Sequence, residues 1–335
     1  MDRFFSTGST NNKQQIMTVC GPIPIPTSGV VDAHSHTWIE PVPDVEFGFT
    51  LNDSELIAAE LYEFGQAGGI GIIDCQPGGC GRNALVQHDL MVNTGIFIVA
   101  ATGFHLPKYY PASASIWQMN EQRAYQYFFE ELQLGTRESM HFDHPIRAGF
   151  IKIACQDKLE KTPEALLRAV AAVSTDTGCA IEVHTEKGAD VERIVAYFDN
   201  QGVDLQRLVL CHVDKRPDFE LHAALAQTGV MLEYDTFFRS KYSPEENLWP
   251  LLEEMIEYRF TDRIALATDM AESTMWKYSG GSPGLVALAT DVRTRLTSIG
   301  IQSEEIELLT GLNISRRIAR PITGITNNFR ATGAN

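Results

Sequence analysis

Residues 30–36 read VVDAHSH, a β-branched apolar start followed by two histidines. Seven further runs along the chain are similarly apolar and β-branched. They are IGIIDCQ at 70–76, IFIVAATG at 96–103, GFIKIAC at 149–155, AIEVHTE at 180–186, LVLCHVD at 208–214, VMLEYDT at 230–236 and IALATDM at 264–270. Nearly continuous apolar content is typical of parallel strands that are covered on both faces. The sequence therefore predicts eight parallel strands.

Helical patterns fill the gaps between these runs. Residues 54–68 carry apolar side chains at helical spacing, with Ser54 as the predicted N-cap. A second stretch begins with Thr162 and Pro163 and ends at Gly178, and an early proline with a late glycine is typical of a helix. Strand and helix alternate eight times, which predicts a (β/α)8 TIM barrel of the α/β class. A doubly wound open sheet is the alternative.

The chain has 335 residues, a length that such barrels often reach as a single domain. We predict one barrel domain over residues 16–320. Residues 1–15 are polar and aperiodic and are predicted to form a disordered tail, and residues 321–335 a loosely ordered C-terminal tail. GPIPIPTSG, rich in proline and glycine, is predicted to be an irregular lead-in to the first strand.

Composition excludes several classes of protein. Hydrophobic residues make up 44% and charged residues 21%, as in ordinary soluble proteins, and no apolar run reaches the roughly 18 residues of a membrane span. A net charge of −16 without a basic stripe argues against a nucleic-acid partner. The beginning of the chain lacks the basic and apolar segments of a signal peptide, which favours a cytoplasmic location. Six cysteines without a CxxC pair are predicted to be reduced thiols.

Polar residues cluster at the predicted strand ends, and in a barrel these ends converge on one mouth where active sites lie. His34 and His36 are two apart, so their side chains share a face. Lys152 lies within an apolar strand, where its ammonium must be neutralised or paired. The other members of this set are His184, His212 and Asp269. Two histidines from one strand with an aspartate suit a metal that accepts nitrogen and oxygen ligands.

The segments DAHSH, GFIKIA, EVHTEKG, LCHVD and ATDMA resemble the phosphotriesterase-like branch of the amidohydrolase superfamily. MTVCGPIP before the first strand and VAATGFHLPKYYP after the third also match, so the resemblance runs from about Met17 to about Arg320. It implies an amidohydrolase-type TIM barrel with two divalent metal ions. Zinc is the usual metal in this family, with manganese or cobalt as alternatives. Family members are commonly dimers, which predicts a homodimer.

The resemblance also assigns roles to the polar set. It implies that His34, His36 and Asp269 hold the more buried ion, and that His184 and His212 hold the more exposed one. Lys152 would be an N6-carboxylysine that bridges both ions. A hydroxide between the ions would attack the substrate, and Asp269 would be the catalytic residue that takes its proton.

Cations follow three of the strand ends. Lys187 lies three residues after His184, Lys215 lies three after His212, and Arg239, Lys241 and Tyr242 follow the seventh strand. The pattern resembles a subgroup that hydrolyses phosphorylated sugar lactones. In that subgroup two such lysines, with an arginine and a tyrosine three apart, bind the phosphate. The resemblance therefore implies a phosphofuranose lactonase in which Lys187, Lys215, Arg239 and Tyr242 bind a small anionic substrate.

Other readings remain open at this point. The same metals could serve a phosphotriesterase or a lactonase for uncharged substrates. The cations could instead hold the sulfonate or carboxylate of an N-acyl amino-sulfonate or N-acyl amino acid, which would make the protein an amidase. A barrel that keeps its metals only for binding is the third alternative. Tyr109 and Tyr110 are candidates to line the pocket, His105 is undetermined, and His222 is predicted to be a non-ligand.

Overall fold

The computed structural model describes residues 14–45 and 49–322, and its centre is a parallel sheet of eight strands. In chain order the strands are β1 (Gln14–Thr18), β2 (Gly21–Pro24), β3 (Val30–Ser35), β4 (Gly69–Asp74), β5 (Phe97–Gly103), β6 (Phe150–Ala154), β7 (Ile181–His184), β8 (Leu208–Cys211), β9 (Met231–Tyr234), β10 (Ile264–Leu266) and β11 (Arg320–Pro321). Strands β3 to β10 pair in sequential order. Each falls on one of the eight runs that the sequence predicted.

The first and last strands of this sheet meet and close it into a barrel. The backbone N–H of Asp269, just after β10, donates to the carbonyl of His34 at 2.8 Å. The N–H of Thr268 donates to Asp32 Oδ1 on β3 at 3.1 Å, and the Thr268 hydroxyl donates to Oδ2. The predicted TIM barrel is therefore confirmed and the open sheet is excluded. Closure occurs at the end of the barrel that carries the polar set.

Helices alternate with the strands on the outside of the barrel. They are α1 (Ser54–Gln66), α2 (Ala84–Thr94), α3 (Glu121–Gln133), α4 (Glu164–Thr177), α5 (Val191–Asn200), α6 (Phe219–Gln227), α7 (Leu248–Glu257), α8 (Arg293–Ser298), α9 (Ser303–Glu307) and α10 (Asn313–Ile318). Helix α4 ends at Gly178 in a left-handed conformation, as predicted. The predicted N-cap of α1 is wrong by one residue. Asp53 is the cap because its carboxylate accepts the N–H groups of Glu55 and Leu56, and Ser54 is the first helical residue.

A small antiparallel sheet precedes the barrel, where the sequence predicted an irregular lead-in. Strand β2 includes Pro22 and Pro24, and among the described residues it pairs only with β1, so it is an edge strand in which proline is tolerated. Strand β1 begins at Gln14, two residues before the predicted start of the domain, and pairs with β11. The rest of the two predicted tails, residues 1–13 and 323–335, lies outside the described residues.

Close backbone contact at the end of β5 positions the predicted lysine. Gly103 has φ of +116°, and a Cβ at this position would lie 1.9 Å from the carbonyl oxygen of Lys152. Only glycine at position 103 therefore lets β5 approach β6 this closely beside Lys152. The six cysteines are free thiols as predicted, and all except Cys20 are buried. None of the helices in residues 14–45 and 49–322 is both long and apolar enough to span a bilayer.

Candidate metal centre

One half of the predicted site is formed by β3 and the segment after β10. His34 Nε2 and His36 Nε2 each lie 3.8 Å from Asp269 Oδ1. Both histidines are buried, and the Asp269 side chain is 14% exposed. Asp269 has φ of +50°, in the left-handed region that non-glycine residues seldom adopt. The strained backbone aims its carboxylate at both imidazole rings, so three donor atoms face one point.

The other half is formed by the ends of β7 and β8. His212 Nε2 lies 3.0 Å from His184 Nδ1, and His212 Nδ1 lies 3.9 Å from Asp269 Oδ2. The rings of His34 and His212 are 4.9 Å apart between centroids. Like Asp269, His212 has a positive φ, +63°. The structure thus brings four histidines and one aspartate from four places in the chain to the same mouth.

Each of the four histidines uses one ring nitrogen for an acceptor and turns the other toward the centre. The acceptor atoms are Glu233 Oε1 for His34 (2.7 Å), Gln76 Oε1 for His36 (2.8 Å), Glu186 Oε1 for His184 (3.1 Å) and Asp235 Oδ2 for His212 (2.5 Å). An acceptor on one nitrogen places the proton there and leaves the lone pair on the other. The sequence interpretation missed all four partners.

Burial also keeps these rings neutral. Burial, together with the charge of Lys152, lowers the pKa of His34 well below its ordinary value. Burial and the charge of Lys215 do the same to the pKa of His212. Burial lowers the pKa of His36 and His184 in the same direction. Neutral imidazole is the form that binds a metal ion, so the four rings are in the state that such a site requires.

Lys152 lies beneath the four histidines and is fully buried. Its Nζ atom is 3.4 Å from His34 Nε2, 3.2 Å from Cys211 Sγ and 4.0 Å from Glu182 Oε2. The Cys75 thiol donates to Glu182 Oε2 at 2.8 Å. The sequence argument that a buried lysine needs a partner therefore leads to Glu182, a residue that the sequence interpretation did not single out.

Pairs of aspartate and threonine fix the strand ends that carry these side chains. Asp74 accepts the N–H and hydroxyl of Thr37, which follows His36, at 2.6 and 2.5 Å. Asp214 accepts the same two groups of Thr236, at 2.8 and 2.5 Å. The third pair, between Asp32 and Thr268, closes the barrel. Because each pair joins neighbouring segments beside a site residue, the site rests on a rigid frame.

The predicted anion-binding residues are only partly brought together. Arg239 Nη2 donates to Asp269 Oδ2 at 3.0 Å, and Arg239 Nη1 donates to Glu272 Oε1 at 3.2 Å. Lys215 Nζ lies 3.7 Å from Asp235 Oδ1 and 5.4 Å from the centre of the Tyr242 ring. Lys187 is exposed and forms neither a hydrogen bond nor an ion pair through its side chain among the described residues. Arg239 and Lys215 thus contact the acids of the site directly.

The family of the chain follows from a match along nearly its whole length. The sequence model of the phosphotriesterase family matches residues 14–317, which include every predicted site residue. The chain belongs to the phosphotriesterase family. Its members are metal-dependent hydrolases, and this chain is therefore a hydrolase.

Similar proteins are named for several different activities. A phospho-furanose lactonase from Mycoplasmopsis synoviae is 25% identical over 308 residues, 86% of this chain and 87% of the relative. An N-acetyltaurine hydrolase from Xenopus tropicalis is 24% identical over 266 residues, 77% of this chain and 70% of the relative. The crystal structure of a lactonase from Listeria monocytogenes superposes with a TM-score of 0.82 at 23% identity, covering 91% of this chain and 98% of that one.

A cavity of about 190 Å³ opens above the centre of this family member. The four histidines, Asp269 and Arg239 form its floor. The segment after β3 contributes one wall that is largely apolar, with Ile39, Pro41, Val42, Val45 and Phe49. His105 and Tyr109 also line the cavity, whereas Tyr110 is buried and is not among the lining residues. Of the four predicted anion-binding residues, Arg239 lines this cavity, and Lys187, Lys215 and Tyr242 are not among its lining residues.

Proposed function

We propose that this chain is a lactonase that opens phosphorylated furanose lactones with the help of two divalent metal ions. The observation that carries the proposal is the position of Arg239. Its guanidinium contacts Asp269 directly and lines the cavity above the four histidines. A substrate anion bound by Arg239 would hold the rest of a small molecule over the histidine cluster.

The donor atoms fit two ions. His34, His36 and Asp269 would hold one ion, and His184 and His212 would hold the second. This set offers neutral imidazole nitrogens and a carboxylate, which suits zinc and also manganese or cobalt. Lys152 would join the two halves as a carbamate, formed when its amine nitrogen bonds to the carbon of CO2 and releases a proton. Its Nζ lies 3.4 Å from His34 Nε2 in the first half.

The bound ions would lower the pKa of a water molecule and polarise the lactone carbonyl. Asp269 has the properties of the group that removes the proton. Burial would raise the pKa of its carboxyl, but Arg239, whose Nη2 donates to Oδ2 at 3.0 Å, helps to hold it below the ordinary value. Asp269 is therefore ionised at neutral pH, and its Oδ atoms can accept a proton and return it to the leaving oxygen.

The cations beside the cavity would select the substrate. Arginine offers a planar fork that matches a phosphate, and lysine offers a point charge. The side chains of Arg239 and Lys215 are each 10% exposed and lie in a chain of net charge −16, so they would provide a local attraction against the overall field. Tyr242 packs under Lys215, and Lys187 extends from the adjacent loop.

An amidase acting on an N-acyl amino-sulfonate is the second candidate. It is favoured by the N-acetyltaurine hydrolase relative, because the same cations would bind a sulfonate. In that case the scissile amide would occupy the place of the lactone carbonyl, and Asp269 would protonate an amine instead of an alkoxide.

The test compares a phosphorylated furanose lactone with the same lactone lacking the phosphate, and both with an N-acyl amino-sulfonate. Arg239→Ala and Lys187→Ala are expected to lower kcat/KM on the phosphorylated lactone by about 10- to 100-fold, the range of one charge-assisted hydrogen bond. Lys187→Ala should leave the unphosphorylated lactone much less affected. Arg239→Ala also removes a contact to Asp269 and should slow both lactones, with the larger loss on the phosphorylated one. Arg193→Ala serves as the matched control, since Arg193 is an exposed arginine on α5 paired with Glu160.

If both variants retain the wild-type kcat/KM on the phosphorylated lactone, the anion-binding assignment fails. If the wild-type protein cleaves only the amide, the amidase reading replaces the lactonase. Metal analysis of the wild-type protein, with two ions expected per subunit, tests the centre separately from the substrate.

A further inference from the structure

Glu233 stands out among the buried acids because it belongs to a strand that does not neighbour the histidine it contacts. It lies on β9, whereas His34 lies on β3, and β10 separates the two strands in the barrel. The side chain of Glu233 is completely buried. Its Oε1 atom is 2.7 Å from His34 Nδ1, so the contact crosses the barrel interior beneath the site.

This contact is not needed to hold β9 in the sheet. The paired residues of β9 are held to β8 and β10 through the backbone. A carboxylate inside the barrel costs free energy that an apolar side chain would not. Moreover, Glu233 Oε2 has no hydrogen-bond partner in the part of the chain that the structure describes. Packing alone would be served better by leucine or methionine, so the acid is explained by the histidine it contacts.

The contact determines what His34 can do. In the tautomer that donates Nδ1–H to Glu233, the lone pair is on Nε2, and that atom faces Asp269 at 3.8 Å. A fixed acceptor on the remote nitrogen orients an imidazole ligand and makes it a stronger base toward a metal ion. Asp235, two residues further along the same inward face, does the same for His212 at 2.5 Å. One strand, β9 with its extension, thus supplies an acceptor to each half of the centre.

We infer that Glu233 is a positioning residue that holds His34 ready for the buried metal ion. The inference rests on the proposed role of His34 as a ligand. Glu233 acts from beneath the site, touches no substrate and acts only through the His34 ring. Its removal should therefore weaken one ion selectively and leave the other in place.

The experiment measures metal dissociation constants with a competing chelator for the purified full-length protein and three variants. Glu233→Met removes the acceptor and keeps the volume, and it should weaken the tighter of the two ions by about 10- to 100-fold. Glu233→Gln keeps a carbonyl acceptor and should stay within about threefold of the wild-type value. Asp235→Leu is the matched comparison, because it should weaken the other ion.

Absorption spectra of the cobalt-substituted proteins would identify which ion is affected without using activity. Unchanged metal affinity in Glu233→Met would overturn the inference, as would equal losses in Glu233→Met and Glu233→Gln. If Glu233→Met does not fold, the ring-proton resonance of His34 Nδ1–H in the Glu233→Gln variant decides. A shift of this resonance supports the hydrogen bond, and an unmoved resonance refutes it. A wild-type protein that binds no metal would instead refute the proposed function.

Discussion

The two halves of the centre use histidine in the same way but stand in different surroundings. His34 and His36 are 2% and 4% exposed, and their acceptors, Glu233 and Gln76, are also buried. In the other half His212 and its acceptor Asp235 are equally buried, but the His184 side chain is 18% exposed, and its acceptor Glu186 is 40% exposed. Water therefore competes for the His184 pair and is excluded from the other three pairs. One half holds its ligand atoms still, and the other opens to the cavity at His184.

This difference follows from where the halves lie along the chain. The buried half is joined by the closing contact between β3 and the segment after β10, with Asp32 and Thr268 behind it. The open half lies where short loops leave β7 and β8, and Lys187 on the first of these loops is exposed. Asp269 is within 4 Å of histidines from both halves, so it is the residue that connects them.

The largest effect is expected from breaking that connection. Asp269→Asn would remove the proposed ligand charge and the proposed proton acceptor together, and general-base removal alone typically costs about 10²- to 10⁴-fold in rate. We expect kcat on the preferred substrate to fall at least that far, with the thermal unfolding midpoint little changed. Asp262→Asn, an exposed aspartate just before β10, is the control and should retain full activity. An Asp269→Asn enzyme with more than a tenth of the wild-type kcat would contradict the assignment.

His222 shows what a histidine outside the centre does, and it gives the second prediction. Its Nδ1 lies 2.7 Å from the Tyr234 hydroxyl, and its Nε2 lies 3.0 Å from the carbonyl oxygen of Arg216, so both nitrogens are used. Burial lowers its pKa from 6.5 to about 4. The folded protein therefore favours the neutral ring. The resulting contribution to the free energy of unfolding is fully present above pH 6.5 and is lost as the pH falls toward 4. The full loss is roughly 3 kcal/mol.

His222→Gln tests this because glutamine can keep both hydrogen bonds but does not titrate in this range. Denaturant unfolding should show the wild-type protein losing more stability than the variant between pH 6.5 and 4. Parallel curves would mean that His222 is not buried in its neutral form. The sequence prediction that His222 is not a ligand agrees with its position on α6, where the Tyr234 hydroxyl and the Arg216 carbonyl occupy its ring nitrogens.

Features that depend on local sequence patterns could be predicted, whereas features that depend on long-range contacts could not. The eight strands were predictable because each is a continuous apolar run, and the site set was predictable because these residues lie at strand ends. Pairing of β1 with β11 joins Gln15 to Arg320, and no local pattern signals a contact at that separation. The segment after β3 that forms a cavity wall also lacks a periodic pattern of apolar residues. It is placed by long-range bonds, such as that of the Glu40 N–H to the Gly81 carbonyl at 2.8 Å.

The buried partners of the histidines were missed although a signal for them existed. Lys152 was predicted to be a site residue because a charge within an apolar strand needs a partner. The same reasoning applies to Glu182 in AIEVHTE and to Glu233 in VMLEYDT, where acids interrupt equally apolar strands. Both lie two residues before another site residue, His184 or Asp235, so the alternation of a strand places each pair on one face. Which residue each acid contacts, Lys152 for Glu182 and His34 for Glu233, depends on barrel closure, and closure cannot be read from spacing.

The smallest predicted effect is a difference in rate between the two halves when metal is removed. Under excess chelator we expect two phases of metal release, with the ion of the open half lost at least about 10-fold faster than the buried one. The reason is that water and chelator reach His184 directly, whereas His34 and His36 must first lose buried hydrogen bonds to Glu233 and Gln76. Sampling metal content and activity together should show activity disappearing with the first ion, because both halves are needed for the reaction. Glu186→Gln should hasten only the fast phase. A single phase for both ions would show that the two halves, despite their different burial, release metal as one unit.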